Sequence, residues 1–580
     1  MNTIARTLIL IVAAALASIA GAHGLLQAPS VGVIRVSVRT GGTLEPISGA
    51  RVTLTPNATQ SGPSSLSAGQ TIATGANGMA VFEKLPSGPY RIQVDREGYM
   101  ATPPAPSNVG SPAPAAFATA TAGPQPVDIS VLLSPFGSIS GRVFDAYGVP
   151  MANARVLAGS IGYRDGRRAY IQQSSSAPDG QGNYVLTPLG SGEYYVRLEP
   201  SILRGSGFYY PGVPDSDSAI RIPVQAGQQI VGIDFSMTNS PTFKVSGTVV
   251  NLPARTLANG QPDNTVPSMS FASADPHNAD TQAAPLLPNG RRGSNGEFEL
   301  TLPSGLWDVF PVINMRVPTL AAVANTPTPL PAPIPGMPLY ATGRVRVFVS
   351  DKDVENVTVK IEASDVNGHI VFEGGTPVPT PNPMRIGLLP LDNTPSPLVS
   401  HVRTAQSPDA AGAFSFASVP PGRYGLQLLP IPPPFYVADV RVGSKSIFDD
   451  GAIVVGNEPV GPVEVTLRSD GGTVQVTTKT PVNPIGPVLP GPRFVLIPAA
   501  PHQQNFLLYK NAAPIRLTTL TTISNVAPGD YKVFAFEVLP QGGAEQNAEF
   551  MATYESLGVP VHVNANDTVS VQVPWIPAQQ

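Results

Sequence analysis

Short runs of alternating apolar and polar residues recur along the whole chain. Val463-Glu464-Val465-Thr466-Leu467 and Val569-Ser570-Val571-Gln572-Val573 each place their apolar side chains on one face of an extended segment. Gly and Pro residues lie between such runs, where tight turns require them. The pattern predicts an all-β chain of short strands, each with one face turned towards a core.

A Gly followed two residues later by an aromatic residue precedes an apolar strand five times. The five instances are Gly88-Pro89-Tyr90, Gly192-Glu193-Tyr194, Gly305-Leu306-Trp307, Gly422-Arg423-Tyr424 and Gly529-Asp530-Tyr531. Their spacing of about 104 to 117 residues is the size of one small β-domain. We expect each aromatic side chain to close one end of a sandwich, as a tyrosine corner does. The repeat therefore predicts about five similar β-sandwiches in tandem.

The strand and turn pattern also predicts where each sandwich begins and ends. The expected domains are residues 31–134, 136–238, 243–362, 366–468 and 471–577. The Pro/Ala-rich segment 101–126 and the Pro-rich segment 318–338 are expected to be long exposed loops within the first and third domains. A second Gly turn inside the repeats, such as Asp179-Gly180-Gln181-Gly182, is expected to need a positive φ. Only a few residues separate neighbouring domains, which indicates limited hinge freedom.

The second repeat resembles the carboxypeptidase regulatory-like domain, a transthyretin-like or prealbumin-like sandwich. The resemblance rests on Gly141-Arg142-Val143, on the segment from Pro150 to Val156, and on Gly182-Asn183-Tyr184. It is strongest from Gly137 to Leu198, good in the first and fourth repeats, and weaker in the third, where Trp307 replaces the Tyr. The resemblance implies a non-catalytic module of the kind repeated in large exported bacterial proteins. Related folds are grouped with carbohydrate-binding sandwiches.

The first 22 residues read as a secretory signal peptide. Arg6 precedes an apolar stretch from Leu8 to Ala20, and Ala20-Gly21-Ala22 offers a small-residue cleavage site. An uncleaved anchor helix is the alternative. The 580 residues include no Cys, so each domain must be stable without disulfides. We expect an exported protein, in the periplasm, on the outer surface or secreted, with no membrane span after signal cleavage.

Composition and motifs argue against several kinds of partner and of chemistry. The net charge is −4 and the chain has no basic run, which disfavours nucleic acid as a partner. None of the six His residues is followed by Glu three positions later, so the zinc carboxypeptidase pattern is missing. No catalytic, cofactor or metal site is predicted. One alternative stays open: cleavage after Ala22 would expose His23 as an N-terminal copper chelator, as in lytic polysaccharide monooxygenases.

One stretch of the second repeat is a candidate ligand patch. It combines aromatic rings that stack on sugars or peptides with cationic hydrogen-bond donors. Its residues are Tyr163, Arg164, Arg167, Arg168 and Tyr170. The other interpretation is that these Tyr residues only pack a β-surface.

The predicted role is that of a non-catalytic structural, adhesive or protein-interaction protein at the cell envelope. The alternative is an array of carbohydrate-binding modules for extracellular polysaccharide. An exposed aromatic platform on one domain would favour the alternative. The sequence does not identify the protein or polysaccharide ligand.

Overall fold

The computed structural model describes most of the chain beyond residue 30. The described residues are 31–56, 69–101, 116–200, 207–237, 241–251, 268–274, 291–292, 296–314, 340–341, 343–362, 364–373, 384–392, 406–409, 411–456, 458–478, 492–513 and 520–578. Strands are their predominant secondary structure and helices are few and short, which confirms the all-β prediction. The predicted signal peptide, His23 and the segment 318–338 lie outside the described residues.

The chain divides into two compact units. The first comprises Met1–Ser140, Val185–Tyr194 and Ile222–Gly232, and the second comprises Gly141–Tyr184, Tyr195–Arg221 and Ile233–Gln580. Within the described residues the strands form tandem β-sandwiches. The limits proposed for each domain stay predictions.

The first sandwich consists of two four-stranded sheets with the orders β4-β1-β8-β6 and β3-β2-β5-β7. Its strands are β1 Val31–Thr40, β2 Arg51–Pro56, β3 Gln70–Ala73, β4 Met79–Pro86, β5 Gly88–Asp95, β6 Tyr99–Ala101, β7 Ala116–Ala122 and β8 Val127–Pro135. Val36 and Phe82 of one sheet and Ile92 of the other belong to the same buried cluster. The two sheets therefore pack face to face around one core.

The second sandwich has sheets with the orders β11-β10-β13-β14 and β12-β9-β16, with β15 beside β13 and β17 beside β9. Its strands are β9 Gly137–Phe144, β10 Ala154–Arg164, β11 Arg167–Ser176, β12 Asn183–Leu189, β13 Gly192–Pro200, β14 Phe208–Tyr209, β15 Ile222–Val224, β16 Gln229–Ile230 and β17 Phe235–Ser236. The β10–β11 hairpin is its longest antiparallel pair and runs from Val156↔Ser176 to Arg164↔Arg167.

The third sandwich has the sheet orders β20-β21-β18-β25 and β19-β22-β23, with β24 also beside β22. Its strands are β18 Thr242–Val250, β19 Ser268–Ser273, β20 Arg291–Arg292, β21 Glu297–Pro303, β22 Gly305–Asn314, β23 Tyr340–Ala341, β24 Val345–Val349 and β25 Val354–Lys360. Val245, Leu300 and Trp307 lie in its core.

The fourth sandwich has the sheet orders β28-β26-β33-β30-β31 and β27-β29-β32. Its strands are β26 Ser364–Phe372, β27 Arg385–Pro390, β28 Ala413–Val419, β29 Gly422–Leu429, β30 Tyr436–Val442, β31 Lys445–Ser446, β32 Ala452–Val455 and β33 Val463–Arg468. Ala272 and Phe310 of the third sandwich belong to the same buried cluster as the core of the fourth. Apolar packing therefore joins these two neighbours.

The fifth sandwich has the sheet orders β37-β34-β40 and β36-β35-β38-β39, with β41 also beside β38. Its strands are β34 Gly472–Thr478, β35 Arg493–Pro498, β36 Lys510–Ala512, β37 Leu520–Val526, β38 Gly529–Phe536, β39 Val559–Val563, β40 Thr568–Val573 and β41 Trp575–Ile576. Its helical elements are the 3-10 helices His502–Gln504, Phe506–Leu508, Ala544–Gln546 and Glu555–Leu557 and the short helix α1, Ala548–Ala552. Tyr436 of the fourth sandwich lies in its core cluster.

The aromatic residue of the repeated turn makes the same hydrogen bond in all five sandwiches. Each ring donates from its OH or NH to the backbone carbonyl four residues earlier, at 2.8–3.0 Å. The donors and acceptors are Tyr90 to Pro86, Tyr194 to Gly190, Trp307 to Pro303, Tyr424 to Pro420 and Tyr531 to Ala527. This confirms the predicted tyrosine-corner role, and Trp307 supplies the donor as well as a Tyr does.

The second Gly turn also has the predicted backbone. Gly78, Gly182, Gly296 and Gly412 have φ between 73° and 85°, in the left-handed region that favours glycine. In the second sandwich the Asp179 carboxylate accepts from the Gln181 and Asn183 backbone N–H groups and holds the turn closed.

The first predicted long loop is partly a strand. Residues 116–122 of the segment 101–126 form β7, which pairs with β5 over its whole length. The loop prediction is wrong for these residues because Ala and Thr alternate there, and the small side chains of Ala116, Ala120 and Ala122 are buried against the core. Residues 102–115 lie outside the described part of the chain.

Candidate functional site

The β10–β11 hairpin ends in a two-residue turn at Asp165-Gly166. These residues have φ of 52° and 73°, the left-handed pair that a tight hairpin turn of the Asp-Gly type requires. Arg164 and Arg167 face each other across the turn. We call residues 160–171 the hairpin tip. It carries all five residues of the predicted ligand patch.

The hairpin tip contacts a segment of the fifth sandwich that we call the cap, residues 540–557. The Gly166 N–H donates to the Gly542 carbonyl at 3.0 Å, and the Asn547 side-chain amide donates to the Gly166 carbonyl at 3.1 Å. The rings of Tyr163 and Phe550 meet edge to face, with centroids 5.5 Å apart. Burial, followed by the nearby Glu549 carboxylate, raises the pKa of Tyr163. The tip is therefore held by backbone, amide and aromatic contacts together.

Arg167 extends the same contact to the fourth sandwich. Its guanidinium donates to the carbonyls of Pro390, at 3.3 Å, and of Asp392. The Asp392 carboxylate lies 3.5 Å from the guanidinium of Arg344 in the third sandwich. Arg344 also lies 3.6 Å from the buried carboxylate of Asp308. Polar contacts thus run from the second sandwich through the fourth to the third.

The other residues of the predicted patch have separate surroundings. Tyr170 is only 4% exposed, donates its OH to the Tyr195 carbonyl at 3.2 Å and belongs to a buried aromatic cluster. Burial raises its pKa well above the usual value. Arg168 pairs with Asp217 at 2.9 Å and is partly exposed. Tyr170 is therefore a core residue, because its ring packs within this aromatic cluster, and it does not belong to a ligand-facing surface.

Tyr163 and Arg164 line a cavity beside the docked tip. The cavity has a volume of about 750 Å³, and its other walls include Leu389 and Gln427 of the fourth sandwich and residues 540–543, 545 and 546 of the cap. The structure thus brings Tyr163, Arg164 and Arg167 together, but against neighbouring sandwiches of the same chain. Whether a ligand binds the patch stays a prediction.

The cap itself was missed by the sequence reasoning. It covers the outer face of the sheet that contains β35 and β38, where a second buried cluster is formed by Val495, Ile497, Phe534, Phe536, Met551 and Ile576. The signal was present as the unbroken apolar runs 494–498 and 533–536, which are typical of strands buried on both faces.

A second cavity, of about 580 Å³, lies under the cap. Its walls include Ile497 and Phe534 on the sheet, the 3-10 helix residues Gln503 and Gln504, and one side of α1. An ion pair between Lys532 and Glu555 stands at its edge. A cavity of this size and mainly apolar lining is typical of a small-ligand pocket.

Three His residues among the described residues lie beside carboxylates. His369 lies 3.3 Å from Glu464, His502 lies 3.2 Å from Asp449, and His562 lies 2.7 Å from Asp530. No group of three or more His, Cys, Asp or Glu close enough to hold a metal occurs in the described part of the chain. No helix among those residues is long and apolar enough to cross a bilayer. His277, like His23, lies outside them.

Comparison with known proteins identifies the domain type in one part of the chain. Residues 33–118 match the family model of the carboxypeptidase regulatory-like domain. The match lies in the first sandwich, and the stronger resemblance expected for the second stays a prediction. None of the curated proteins matches the chain.

Several solved structures are similar to this chain at low identity. The Bacillus anthracis TIE protein is 12% identical over 57% of this chain and 51% of its own, with a TM-score of 0.16. This chain therefore spans about half the length of that protein. The minor pilin GBS52 of Streptococcus agalactiae is 14% identical over 39% of this chain and 100% of its own, with a TM-score of 0.19. BcpA, the major pilin subunit of Bacillus cereus, is 12% identical over 57% of this chain and 99% of its own, with a TM-score of 0.13. Values this low transfer no function. The chain is a tandem array of β-sandwiches, and the first of them contains the match to the carboxypeptidase regulatory-like domain.

Proposed function

We propose that this chain is an exported, non-catalytic structural or adhesive protein whose second unit acts as one stiff body. The predicted signal peptide supports export. The carboxypeptidase regulatory-like domain in residues 33–118 supports a module without chemistry of its own. The structural role depends on the contacts between the sandwiches, because these contacts determine whether the array bends or transmits force.

The observation that carries the proposal is the docked hairpin tip. Gly166, Tyr163 and Arg167 make backbone, aromatic and guanidinium contacts to two other sandwiches, far away in sequence. Independent binding modules on flexible linkers need no such contacts. Contacts between sandwiches that are not neighbours in sequence add stiffness that short linkers alone do not provide.

The charged clusters of this unit also serve its architecture. Asp308 accepts two hydrogen bonds from the guanidinium of Arg346, at 2.9 and 3.0 Å, and lies near Arg344. In the second sandwich the buried Arg197 pairs with Glu199 at 3.0 Å. Groups held in pairs of this kind maintain geometry.

The carbohydrate-binding alternative has no specific observation in its favour. A sugar-stacking surface needs an exposed aromatic face. The ring of Tyr163 packs on Phe550, and the ring of Tyr170 is in the core. We therefore propose protein or surface contact rather than sugar binding as the role of the array.

The experiment measures retention of the chain from His23 onwards on surfaces. Beads coated with the chain are washed over immobilised matrix proteins and, in parallel, over a glycan array and insoluble polysaccharides. Saturable retention on protein with none on glycans supports the proposal. Saturable glycan binding that is lost in Tyr163→Ala, but kept in the control Tyr147→Ala, would overturn it in favour of carbohydrate binding.

A further inference from the structure

The cavity under the cap of the fifth sandwich is a built pocket, and it shares Asn547 with the contact that holds the hairpin tip. Its volume is about 580 Å³, within the range of pockets that enclose one small ligand or one side chain with its backbone. Ile497, Phe534 and Met551 line it and are each less than 10% exposed. An apolar group that enters the pocket therefore meets side chains that are already withdrawn from water.

The cap keeps this pocket open by its choice of small residues. Ala548 and Ala552 are four residues apart on α1, so they lie on the same side of the helix, and both line the cavity. Phe550, the large residue between them, packs against Tyr163 of the hairpin tip instead. A larger side chain at either Ala position would fill the space.

The rim of the pocket favours a ligand with amide groups. Lys532 and Glu555 form an ion pair there, and the Glu545 side chain also lines the pocket. Gln503, Gln504 and Gln546 also line the pocket, and a Gln side chain carries both a donor and an acceptor. The backbone of an extended peptide carries the same two groups in alternation, so it is the natural complement of such a rim.

We propose that the pocket binds an extended peptide segment of a partner protein. One bulky apolar side chain enters between Phe534 and Met551, and the Gln side chains at the rim hold the adjoining backbone. A single buried anchor with polar contacts around it is the usual arrangement of an interaction hot spot. A sugar fits less well, because the floor offers buried aliphatic groups and a packed ring rather than an open aromatic face.

The test uses N-acetyl-phenylalaninamide as the probe, since it carries one apolar side chain between two amides. The chain from His23 onwards is labelled on its Met methyl groups, and the probe is titrated in by NMR. We expect a saturable shift of the Met551 signal while Met269 and Met384, buried in the third and fourth sandwiches, do not move.

Two matched variants complete the test. Ala552→Trp fills the pocket and is expected to abolish the Met551 response to the probe. Thr553→Trp adds the same side chain at an exposed neighbouring position that does not line the pocket, and it should keep the response. Unchanged hydrogen exchange of the β34 amides, in the other sheet of the fifth sandwich, establishes that both variants are folded.

No probe-dependent shift at Met551, or a shift that survives Ala552→Trp, would overturn the proposal. So would a saturable Met551 shift with N-acetylglucosamine and none with the peptide probe. The result does not depend on the proposed structural role, because binding is measured on the purified chain. Failure of the surface-retention experiment would leave a positive probe result standing.

Discussion

Strands β5 of the first sandwich and β38 of the fifth begin alike and then diverge. Both start with the repeated turn, and Tyr90 and Tyr531 donate to the carbonyl four residues earlier. Beyond the Tyr, β5 alternates buried with exposed or half-buried residues, whereas the last four residues of β38 are all buried. At the outward positions β5 has Arg91, Gln93 and Asp95, and β38 has Lys532, Phe534 and Phe536.

The strands that pair with β5 and β38 also differ in how apolar their outward residues are. Strand β2 pairs with β5 and has Thr53 and Thr55 on its outward side, while β35 pairs with β38 and has Val495 and Ile497 there. The same repeat therefore builds a two-layer sandwich in one case and a three-layer domain with a cap in the other. The turn and the inward positions specify the sandwich, and the outward positions decide whether another layer covers it.

Removing one outward aromatic side chain should give the largest difference in stability loss between the fifth and the first sandwiches. Phe534→Ala leaves a cavity between the cap and the sheet, and we expect it to lower the free energy of unfolding of the fifth sandwich by about 3–5 kcal/mol. The measurement is native-state hydrogen exchange of the amides in β38. Gln93→Ala, at the equivalent position of β5, should change exchange in the first sandwich by less than about 0.5 kcal/mol. Equal effects at the two positions would remove the distinction between the sandwiches.

Detaching the hairpin tip should expose the cap without unfolding the sheet beneath it. Tyr163→Ala removes the edge-to-face contact with Phe550, and we expect a loss of about 0.5–1.5 kcal/mol beyond the buried area. Hydrogen exchange should speed up in residues 544–554 and stay unchanged in β35. Tyr147→Ala is the control, because that ring is 81% exposed. Faster exchange throughout the fifth sandwich would mean that the tip supports the whole domain.

Loss of the tyrosine-corner hydrogen bond should lower the free energy of unfolding by about the same amount in the first and the fifth sandwiches. Tyr90→Phe and Tyr531→Phe each remove one hydrogen bond and leave a carbonyl without that donor, so each should destabilise its sandwich by about 0.5–1.5 kcal/mol. Hydrogen exchange in β5 and β38 measures the two losses side by side. A loss confined to the fifth sandwich would show that the corner acts only beneath a cap.

The smallest expected difference between the first and the fifth sandwiches concerns one pair of residues that face each other on neighbouring strands. Asp530 lies opposite His562 in the fifth sandwich, and the matching pair in the first is Pro89 and Thr121. The hydrogen bond to Asp530 raises the pKa of His562 above its usual 6.5. Because the pKa is higher in the folded chain, the contribution to stability is present below the unfolded pKa. It is lost as the pH rises through the folded pKa.

An NMR titration of the His ring signals checks this expectation. Asp530→Asn should bring the pKa of His562 back towards 6.5. A pKa of His562 that does not respond to Asp530→Asn would mean that the pair does not form in solution.

Much of the architecture could be read from short stretches of sequence. The five turns, the left-handed Gly positions and the alternating strands depend on residues close together in the chain. Strand β7 was missed because its Ala-rich composition resembles a loop, and only pairing with β5 makes it a strand. The cap was missed although runs such as 533–536 were apolar without a break, because a continuous apolar run also fits other buried segments.

The candidate site needed contacts between residues that are far apart in the chain. The sequence shows that five residues lie in one short stretch: Tyr163, Arg164, Arg167, Arg168 and Tyr170. It does not show whether their side chains lie on one face of the hairpin. In the structure Tyr170 packs in the core with Tyr195 and Tyr209, while Arg167 reaches the carbonyls of Pro390 and Asp392. Side-chain direction on a strand follows from the register, and the register depends on the partner strand.

By itself, the sequence determined the all-β class, the repeated sandwich and the turn that closes each one, because these follow from local backbone preferences and from which residues avoid water. Only the tertiary structure decided that the hairpin tip docks on the cap and that a pocket lies beneath it. The docking joins segments hundreds of residues apart, whereas the pocket lies between segments of one sandwich. The geometry of both depends on how the surfaces pack.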